Sequence, residues 1–465
     1  MRIRLLGQYV HVSIAVLSVV EALMFYVVLT GAVALYSHGS LPDAGITNNE
    51  LWPRAAVFSC LMVLSLLALG LYSVRQRARA VGIVARMVLA LLGGMVLTWF
   101  FFNVIPYLRV ESGVLALTGV GAIGGVCVSR LFFQRFVSDE FFKRRVLVYG
   151  AGRSAAVISN LRRRADRRGF SLVGFMLPDG ESSVVPSERV LTAKDGISEL
   201  CARTGVDEVV VAMEDRRRGF PTLDLLECRL AGVDVTELLT FLERETGRVR
   251  IDILNPSWMI FGEGFRRDTL RLLSSRILDL IVSTLVIVVS LPILLLTALA
   301  IKVEEGIRAP IFYKQMRVGF AGKPFPLLKF RSMRTDAERS GPQWAQPNDP
   351  RITRVGAFLR RSRIDELPQM LNVLAGHMSC VGPRPERPEF VADLSQKVPY
   401  YEQRHCVKPG ITGWAQLCYP YGASDHDSLE KLQYDLYYIK NNSLLFDLAI
   451  LLQTAEVVFM GKGAR

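Results

Sequence analysis

The sequence predicts a membrane protein that combines a helical part with an α/β part, and three observations indicate this class. Of its 465 residues 51% are hydrophobic, and the mean hydropathy is positive, at +0.29, which is high for a soluble chain. Four apolar stretches near the N-terminus each have the ~20 residues that a membrane-spanning helix needs. After them, short apolar runs alternate with helical patterns, as they do in a parallel α/β sheet.

The four apolar stretches run from about 12 to 36, 55 to 74, 83 to 105 and 112 to 133. Cations cluster before the first stretch, between the second and third, and after the fourth. Because positively charged loops stay in the cytoplasm, we predict a four-helix transmembrane unit over 1–143 with both ends cytoplasmic. Glu21 lies inside the first stretch, where a buried acid is a functional candidate. We interpret it instead as a residue near the membrane interface.

Residues 144–250 have the pattern of a Rossmann-like α/β domain, and a connector follows over 251–273. The turn Gly150-Ala151-Gly152 before a helix could hold a pyrophosphate. The domain lacks the Tyr-x-x-x-Lys pair of nucleotide-sugar redox enzymes, so we favour a docking or regulatory role. Strands are predicted at Val146–Tyr149, Leu172–Leu177, Glu208–Met213 and Val233–Leu238.

A fifth apolar segment, at about 277–301, lies at the start of an α-rich domain predicted over 274–465. Cations flank both of its ends, so both ends are expected in the cytoplasm. Pro292 removes a helix hydrogen bond inside the segment and bends the axis. A helix broken there could enter the bilayer and return. The alternative is a kinked fifth span, which would carry the basic region that follows to the other side of the membrane.

Two adjacent carboxylates, Asp365 and Glu366, lie inside the basic stretch Arg360–Gln369. Nearby cations lower the pKa of a carboxylate and keep it charged. A charged aspartate among arginines suits attack on a phosphate that the arginines hold. On the pair alone, however, an ordinary Asp-Glu pair on a solvated helix face is the better interpretation.

Four further stretches accompany the pair in order, at Lys329–Arg334, Asn348–Gly356, Val381–Pro385 and Lys408–Gln416. The ordered set resembles the bacterial sugar transferases. These are monotopic phosphoglycosyl transferases, which move a hexose-1-phosphate from a UDP-sugar to polyprenyl phosphate. The resemblance covers about residues 270–465, and the connector is similar to that of a subgroup associated with exopolysaccharide. It implies a re-entrant helix at about 277–301, in which Ser290 replaces the serine that usually stands directly before the proline, here Pro292.

The resemblance also implies roles for individual residues of the C-terminal domain. Asp365 is expected to be the nucleophile that attacks the β-phosphorus of the UDP-sugar. Glu366 is expected to hold Mg²⁺. Substrate-binding roles are implied for Arg360, Lys329, Arg331 and Arg384, with Pro383 keeping the backbone before Arg384 rigid.

The net charge of +13 suits nucleic acid, anionic lipid or an anionic small substrate. The sequence contains no zinc-finger spacing, RNA-binding aromatic signature or clear helix-turn-helix, so no nucleic-acid partner is predicted. The expected partners are a UDP-hexose, polyprenyl phosphate and the lipid of the bacterial inner membrane, with the catalytic domain on its cytoplasmic face. The large helical unit also suggests a homodimer. An amphipathic helix is predicted at Leu444–Met460.

Two other functions remain open on the sequence. One is a membrane-tethered NAD-dependent nucleotide-sugar enzyme that acts through the middle domain, which would retain its cofactor on purification. The other is a non-enzymatic assembly scaffold, in which Asp365→Asn would leave polymer synthesis intact. The sequence does not identify the hexose or the polyprenol.

Overall fold

A computed structural model describes residues 2–5, 8–39, 48–69, 71–72, 80–136, 143–161, 164–167, 169–191, 196–215, 217, 219–262, 264–265, 268–334, 349–419, 422 and 424–459. The chain forms two compact units, Met1–Gly247 and Arg248–Arg465. The four-part division that the sequence predicts is finer than this and stays a prediction.

The first unit begins with a short antiparallel hairpin of β1 (Arg2–Leu5) and β2 (Gln8–His11), which the sequence did not predict. Four long helices follow, and all are apolar and long enough to cross a membrane. Their inner faces share a core around Phe25 and Phe58, while many large apolar side chains lie exposed on the outside. An exposed apolar surface of this kind suits lipid. The helices are α1 (Val12–Gly39), α2 (Asn48–Ala68), α3 (Ala80–Val104) and α4 (Ser112–Phe136).

Glu21 is fully buried between these helices, and its predicted place near the membrane interface stays a prediction. Its carboxylate accepts hydrogen bonds from Arg130 Nε, at 2.9 Å, and from the Tyr72 hydroxyl. A buried carboxylate needs such partners because it has lost its water. The pair therefore links α1 to α4, and we assign it a structural role.

A five-stranded parallel sheet forms the rest of the first unit, and it contains all four strands that the sequence predicted. The strand order is β5-β4-β3-β6-β7, which is the order of a doubly wound α/β sheet. The short edge strand β5 was missed because two residues give no periodic signal. The elements are β3 (Arg144–Tyr149), α5 (Arg153–Ser159), β4 (Phe170–Met176), β5 (Val190–Leu191), α6 (Ile197–Thr204), β6 (Glu208–Val211), α7 (Thr222–Leu230), β7 (Asp234–Glu237) and α8 (Leu238–Thr246).

The second unit is mainly helical. It contains an antiparallel hairpin, β8–β9, and one short parallel pair, β10–β11. The C-terminal helix α16 agrees with the prediction, since Phe446 and Ile450 are buried while Leu444 and Leu448 are exposed. The elements are α9 (Pro256–Phe261), α10 (Thr269–Glu305), β8 (Phe312–Val318), β9 (Pro324–Phe330), α11 (Arg354–Ser362), α12 (Gln369–Leu374), β10 (Ser379–Val381), α13 (Pro388–Lys397), β11 (Gly410–Thr412), α14 (Trp414–Cys418), α15 (Asp425–Asn441) and α16 (Leu444–Phe459).

The predicted re-entrant segment lies in α10, which is one helix of 37 residues with Pro292 inside it. The helical assignment is continuous, so the proline does not divide α10 into two elements. Ser290 donates to the carbonyl of Val286, at 2.6 Å, one turn before it. A helix can bend at a proline and stay helical, and the re-entrant path stays a prediction.

Candidate active site

The turn that carries Asp365 and Glu366 follows directly from α11. Thr353 caps the start of α11, where its Oγ1 accepts a hydrogen bond from Gly356 N at 2.9 Å. Arg363 ends α11 in the left-handed conformation, with φ 57°, which costs a non-glycine residue about 1 kcal/mol. The reversal of the chain there leads into a short 3₁₀ turn, Ile364–Glu366, in which Asp365 is buried.

Glu366 is held by two cations from different elements. Its Oε1 contacts Lys329 Nζ of β9 at 3.3 Å and Arg384 Nη2 at 2.9 Å. Burial raises the pKa of Glu366, but the positive charges of Arg384 and Lys329 outweigh it and hold the pKa well below its usual range. Glu366 is therefore a permanent anion at physiological pH.

Asp365 behaves differently from its neighbour. Burial raises its pKa above the usual range, and the positive charge of Lys329 offsets only part of this shift. The sequence-based expectation that the cations lower the pKa of the aspartate is therefore wrong for Asp365 and right for Glu366. The physical reason is that Lys329 and Arg384 both bond to Glu366, whereas Asp365 loses water and forms no ion pair with any residue that the structure describes.

Arg384 reaches Glu366 from a rigid loop. The carbonyl of Pro383 accepts a hydrogen bond from Gly410 N at 2.9 Å. The carbonyl of Arg384 itself accepts one from Arg404 Nη2 at 3.0 Å. Arg404 is buried and also contacts Asp435 Oδ2, at 2.9 Å. This buried pair fixes the backbone that presents Arg384.

Not all of the predicted substrate-binding residues come together. Arg360 Nε donates to Ser332 Oγ at 3.0 Å, and its charge lowers the pKa of Asp365 in part, against the larger effect of burial. Arg331 donates instead to the carbonyl of Pro310, at 3.1 Å. Asp365, Glu366, Lys329 and Arg384 therefore form one cluster, Arg360 lies at its edge, and Arg331 is engaged elsewhere.

The sequence predicted no role for Arg404 or for Asp435. No local signal distinguishes Arg404 from the many other arginines of the chain. Asp435 lies on α15, and the structure buries it against Arg404, 31 positions earlier in the sequence. Only the folded chain brings the two together.

The predicted Mg²⁺ can be tested against the residues present. Among the described residues, no group of three or more His, Cys, Asp or Glu side chains could hold a metal. Magnesium in enzymes commonly binds one or two carboxylates together with substrate phosphates and water. Asp365 and Glu366 supply such a pair, so the residues fit a Mg²⁺ that arrives with a diphosphate.

Two carboxylates contact the glycine-rich turn of the middle domain in the part of the chain that the structure describes. At the start of α5, Gly152 N donates to Glu181 Oε1 at 2.8 Å and Arg153 N donates to Glu214 Oε1 at 2.5 Å. A Cβ on residue 152 would lie 2.4 Å from Glu181 Oε1, so the carboxylates fill the space beside the turn. The backbone donors that a phosphate would use are taken by the chain's own acids.

Comparison with known proteins relates the second unit to one family. Residues 270–461 match the family model described as bacterial sugar transferase. The chain is 30% identical over 382 residues to the UDP-glucose:undecaprenyl-phosphate glucose-1-phosphate transferase of Xanthomonas campestris pv. campestris, which covers 77% of this chain and 76% of that one.

Two further relatives match shorter parts. The UDP-N-acetylgalactosamine-undecaprenyl-phosphate N-acetylgalactosaminephosphotransferase of Aeromonas hydrophila is 40% identical over 241 residues, 52% of this chain and 56% of that one. The exopolysaccharide production protein PSS of Rhizobium leguminosarum bv. phaseoli is 42% identical over 199 residues, 41% of this chain and 98% of that one. The chain thus spans little more than half of the Aeromonas protein. From the match at 270–461 and the extent of the Xanthomonas match, the chain is a transferase that belongs to the bacterial sugar transferase family.

Proposed function

We propose that this chain transfers a hexose-1-phosphate from a UDP-sugar to polyprenyl phosphate, with Asp365 as the nucleophile. The observation that carries the proposal is the cluster around Glu366, in which Lys329 and Arg384 meet one carboxylate beside a second, buried one. Such a cluster pairs an anion-binding surface with an oxygen nucleophile. The names of the Xanthomonas and Aeromonas relatives, which both contain a UDP-sugar and undecaprenyl phosphate, support the same substrates.

The reaction takes two displacements at one phosphorus. A carboxylate oxygen of Asp365 attacks the β-phosphorus, the bond from that phosphorus to the bridging oxygen breaks, and UMP leaves with the electron pair. An oxygen of polyprenyl phosphate then attacks the phosphorus of the aspartyl phosphosugar. The Asp365 carboxylate leaves, and the sugar phosphate is now joined to the lipid. Two easier steps replace one difficult step, as in other covalent catalysis.

The surrounding residues take complementary parts. Arg384 binds phosphate oxygens through its planar guanidinium, and Lys329 adds a charge that balances the diphosphate. Arg360 extends the same positive surface at the edge of the cluster. Glu366 would hold a Mg²⁺ ion that arrives with the substrate phosphates. When bound, the metal offsets charge on the diphosphate and stabilises the leaving group.

The buried position of Asp365 favours its role as a nucleophile. A carboxylate in water is surrounded by hydrogen-bond donors that must be stripped before it can attack. Asp365 has already lost most of its water, and the raised pKa means that it is also a stronger base once ionised. The raised pKa also means that Asp365 is ionised over a narrower pH range than an ordinary aspartate.

The re-entrant path of α10 is part of the proposal. Near its start, Arg276 donates to the carbonyls of Val373 and Leu374 in α12. Near its end, Ile301 packs with Leu359 of α11. Both ends of α10 thus contact one compact unit, and a helix that crossed the bilayer would have its ends on opposite sides. With cations at both flanks, this supports a helix that enters from the cytoplasmic face and returns.

In this setting the enzyme works at the cytoplasmic face of the inner membrane, where a soluble nucleotide sugar and a lipid phosphate both reach the cluster. Its product would begin a repeat unit of exopolysaccharide or another glycoconjugate. The relatives' names differ in the sugar, glucose or N-acetylgalactosamine, so the hexose is left to experiment.

A trapping experiment tests the proposal. The purified full chain is incubated with Mg²⁺ and a panel of UDP-hexoses without acceptor lipid, and intact and peptide masses are measured. A phosphohexose adduct on Asp365, absent from Asp365→Asn, is the expected result and also identifies the sugar. No adduct, together with lipid-linked product once polyprenyl phosphate is added, would instead indicate direct transfer, with Asp365 as a base or metal ligand.

The two alternatives make different predictions in the same experiment. The NAD-dependent enzyme would need its glycine-rich turn for a pyrophosphate, and Glu181 and Glu214 oppose this because they occupy the donors and carry negative charge. The scaffold would give neither adduct nor lipid-linked product. Retained nicotinamide cofactor would favour the first alternative, and absence of any transfer would favour the second.

A further inference from the structure

The buried Asp365 lies between two short helices whose outer ends are both bound by the same membrane helix. α11 precedes the Asp365–Glu366 turn and α12 follows it. Glu304, in the last turn of α10, binds the first end of this pair. Arg276, near the start of α10, binds the second end. The two side chains are 28 positions apart, which is about 42 Å along a straight helix.

Glu304 completes the cap of α11. Its Oε1 accepts from Arg354 N at 2.8 Å and its Oε2 accepts from Val355 N at 3.0 Å. The first amides of a helix have no partner within the helix, and a negative charge there also complements the helix dipole. Thr353 serves a third amide, so the start of α11 is satisfied only when Glu304 is in place.

Arg276 supplies hydrogen-bond donors to the C-terminal end of α12, as Glu304 supplies acceptors to the start of α11. Its Nη1 donates to the carbonyl of Val373 at 2.6 Å and its Nη2 to the carbonyl of Leu374 at 2.7 Å. The last carbonyls of a helix lack donors within the helix itself, and the carbonyl of Val373 also accepts from Gly376 N just beyond α12, at 2.9 Å. A positive charge at this end has the favourable sign. One guanidinium thus ends α12 and joins it to α10.

A third contact from α10 reaches the strand that leads to Arg384. Asp279 Oδ1 accepts from Ser379 Oγ at 2.9 Å and from Cys380 N at 2.7 Å. Asp279 is buried, and β10 continues through Val381 towards Arg384. The same helix therefore holds α11 and α12 beside the carboxylates and the strand before the arginine.

Glu304 lies among apolar side chains that are exposed at the end of α10. Its neighbours Val303 and Ile307 are 78% and 86% exposed, and apolar side chains exposed at the end of such a segment suit the membrane interface. Amides without a partner cost more free energy where water is scarce. Loss of the Glu304 carboxylate should therefore matter more in a bilayer than in water.

We propose that α10 is a positioning element for the reaction, and that Glu304 and Arg276 are its positioning residues. By fixing the outer ends of α11 and α12, they set the place of Asp365 relative to Arg384 when the helix is in the membrane. This rests on the proposed function only in treating Asp365 and Glu366 as the reacting pair. Neither Glu304 nor Arg276 is expected to touch the substrate.

The test compares Glu304→Gln and Arg276→Gln in the full chain, reconstituted in bilayer nanodiscs. Matched controls are Glu305→Gln, which changes the same charge one residue later, and Arg308→Gln, an exposed arginine just beyond α10. We expect kcat for lipid-linked product to fall about tenfold in each positioning variant, because small misplacements of reacting groups are costly. The KM for the UDP-sugar should stay within about twofold. The controls should resemble the wild type.

Two further measurements separate positioning from general damage. Glu304→Asp keeps both carboxylate acceptors and should restore most of the activity. Hydrogen exchange of the amides at 354–355 should be faster in Glu304→Gln than in the wild type, and unchanged in Arg276→Gln and the controls. If Arg276→Gln does not fold, Arg276→Lys, which keeps the charge and one donor, replaces it and should be intermediate. Equal kcat in positioning variants and controls, or a loss that appears only in KM, would overturn the proposal. Because product formation is measured, a failure to trap the Asp365 adduct would not affect this outcome.

Discussion

Two places in the sequence have a pattern that could bind phosphate, and they differ in the charges that contact them. In the second unit, Lys329 and Arg384 converge on Glu366. In the first unit, Glu181 and Glu214 occupy the amides at the start of α5. The glycine-rich turn has the backbone that a phosphate needs, but the chain supplies its own anions to it. The local glycine-rich motif is therefore a weaker guide to binding than the charge of the side chains that fold onto it.

The largest effect should come from the nucleophile. Asp365→Asn should lower the rate of lipid-linked product by at least about a thousandfold, because covalent catalysis is lost with the nucleophile. Product is measured with labelled UDP-sugar and polyprenyl phosphate. Asp393→Asn, at an exposed aspartate of α13, serves as the control and should change little. Near-normal product from the Asp365→Asn variant would mean that the Asp365–Glu366 cluster is no more a reaction site than the glycine-rich turn.

The next effect should come from Arg384. Arg384→Ala removes one of the two cations on Glu366 and should lower kcat/KM by about a hundredfold, as loss of one preorganised charged donor does elsewhere. Arg361→Ala removes an exposed arginine of α11 and should stay near the wild type. Similar losses in both variants would mean that general positive charge, and not the Arg384 contact, binds the substrate.

A third prediction concerns pH. Only ionised Asp365 attacks, and burial raises its pKa, so kcat/KM should fall as the pH is lowered, starting above the range of an ordinary aspartate near 3.9. Lys329→Met removes a charge that lowers this pKa and should move the acid limb to still higher pH. The pKa of Glu366 is depressed, so this residue stays ionised and does not contribute to the fall of kcat/KM in this pH range. If kcat/KM instead fell only near the pKa of a solvent-exposed aspartate, Asp365 would not be a desolvated nucleophile.

The smallest effect is expected in the first unit. Glu181→Gln with Glu214→Gln should leave the transfer rate within about twofold, since these side chains are assigned only to the cap of α5. The two acids should contribute about 1 kcal/mol together to the free energy of unfolding, through the helix dipole. Chemical denaturation measures this term and the product assay measures the rate. A tenfold loss of transfer would show that the turn takes part in the reaction.

The sequence predicted the apolar helices, the parallel sheet and the region of the site because each leaves a local pattern. Hydropathy marks the helices, although it placed the second stretch at 55–74, whereas α2 runs over Asn48–Ala68. The ordered motifs marked Asp365, Glu366, Lys329 and Arg384. The different pKa shifts of the two carboxylates could not be predicted, because they depend on which of them is buried and which is paired.

The contacts made by α10 were also beyond sequence reasoning. From the sequence, Arg276 was interpreted only as one of the cations that flank the apolar segment and indicate a cytoplasmic end. No role was predicted for Glu304. Their partners are backbone groups about 50 to 100 positions away, and backbone groups carry no sequence signal. Only folding relates them to the Asp365–Glu366 turn.

The contact of both ends of α10 with one unit has a consequence for how such proteins diversify. A catalytic unit that carries its membrane attachment within itself does not depend on a preceding span for its location. Recombination can then exchange, extend or remove the N-terminal part while the attachment is inherited with the chemistry. We expect the N-terminal part to vary in evolution more freely than α10, which on our proposal both attaches the unit to the membrane and positions the reacting groups.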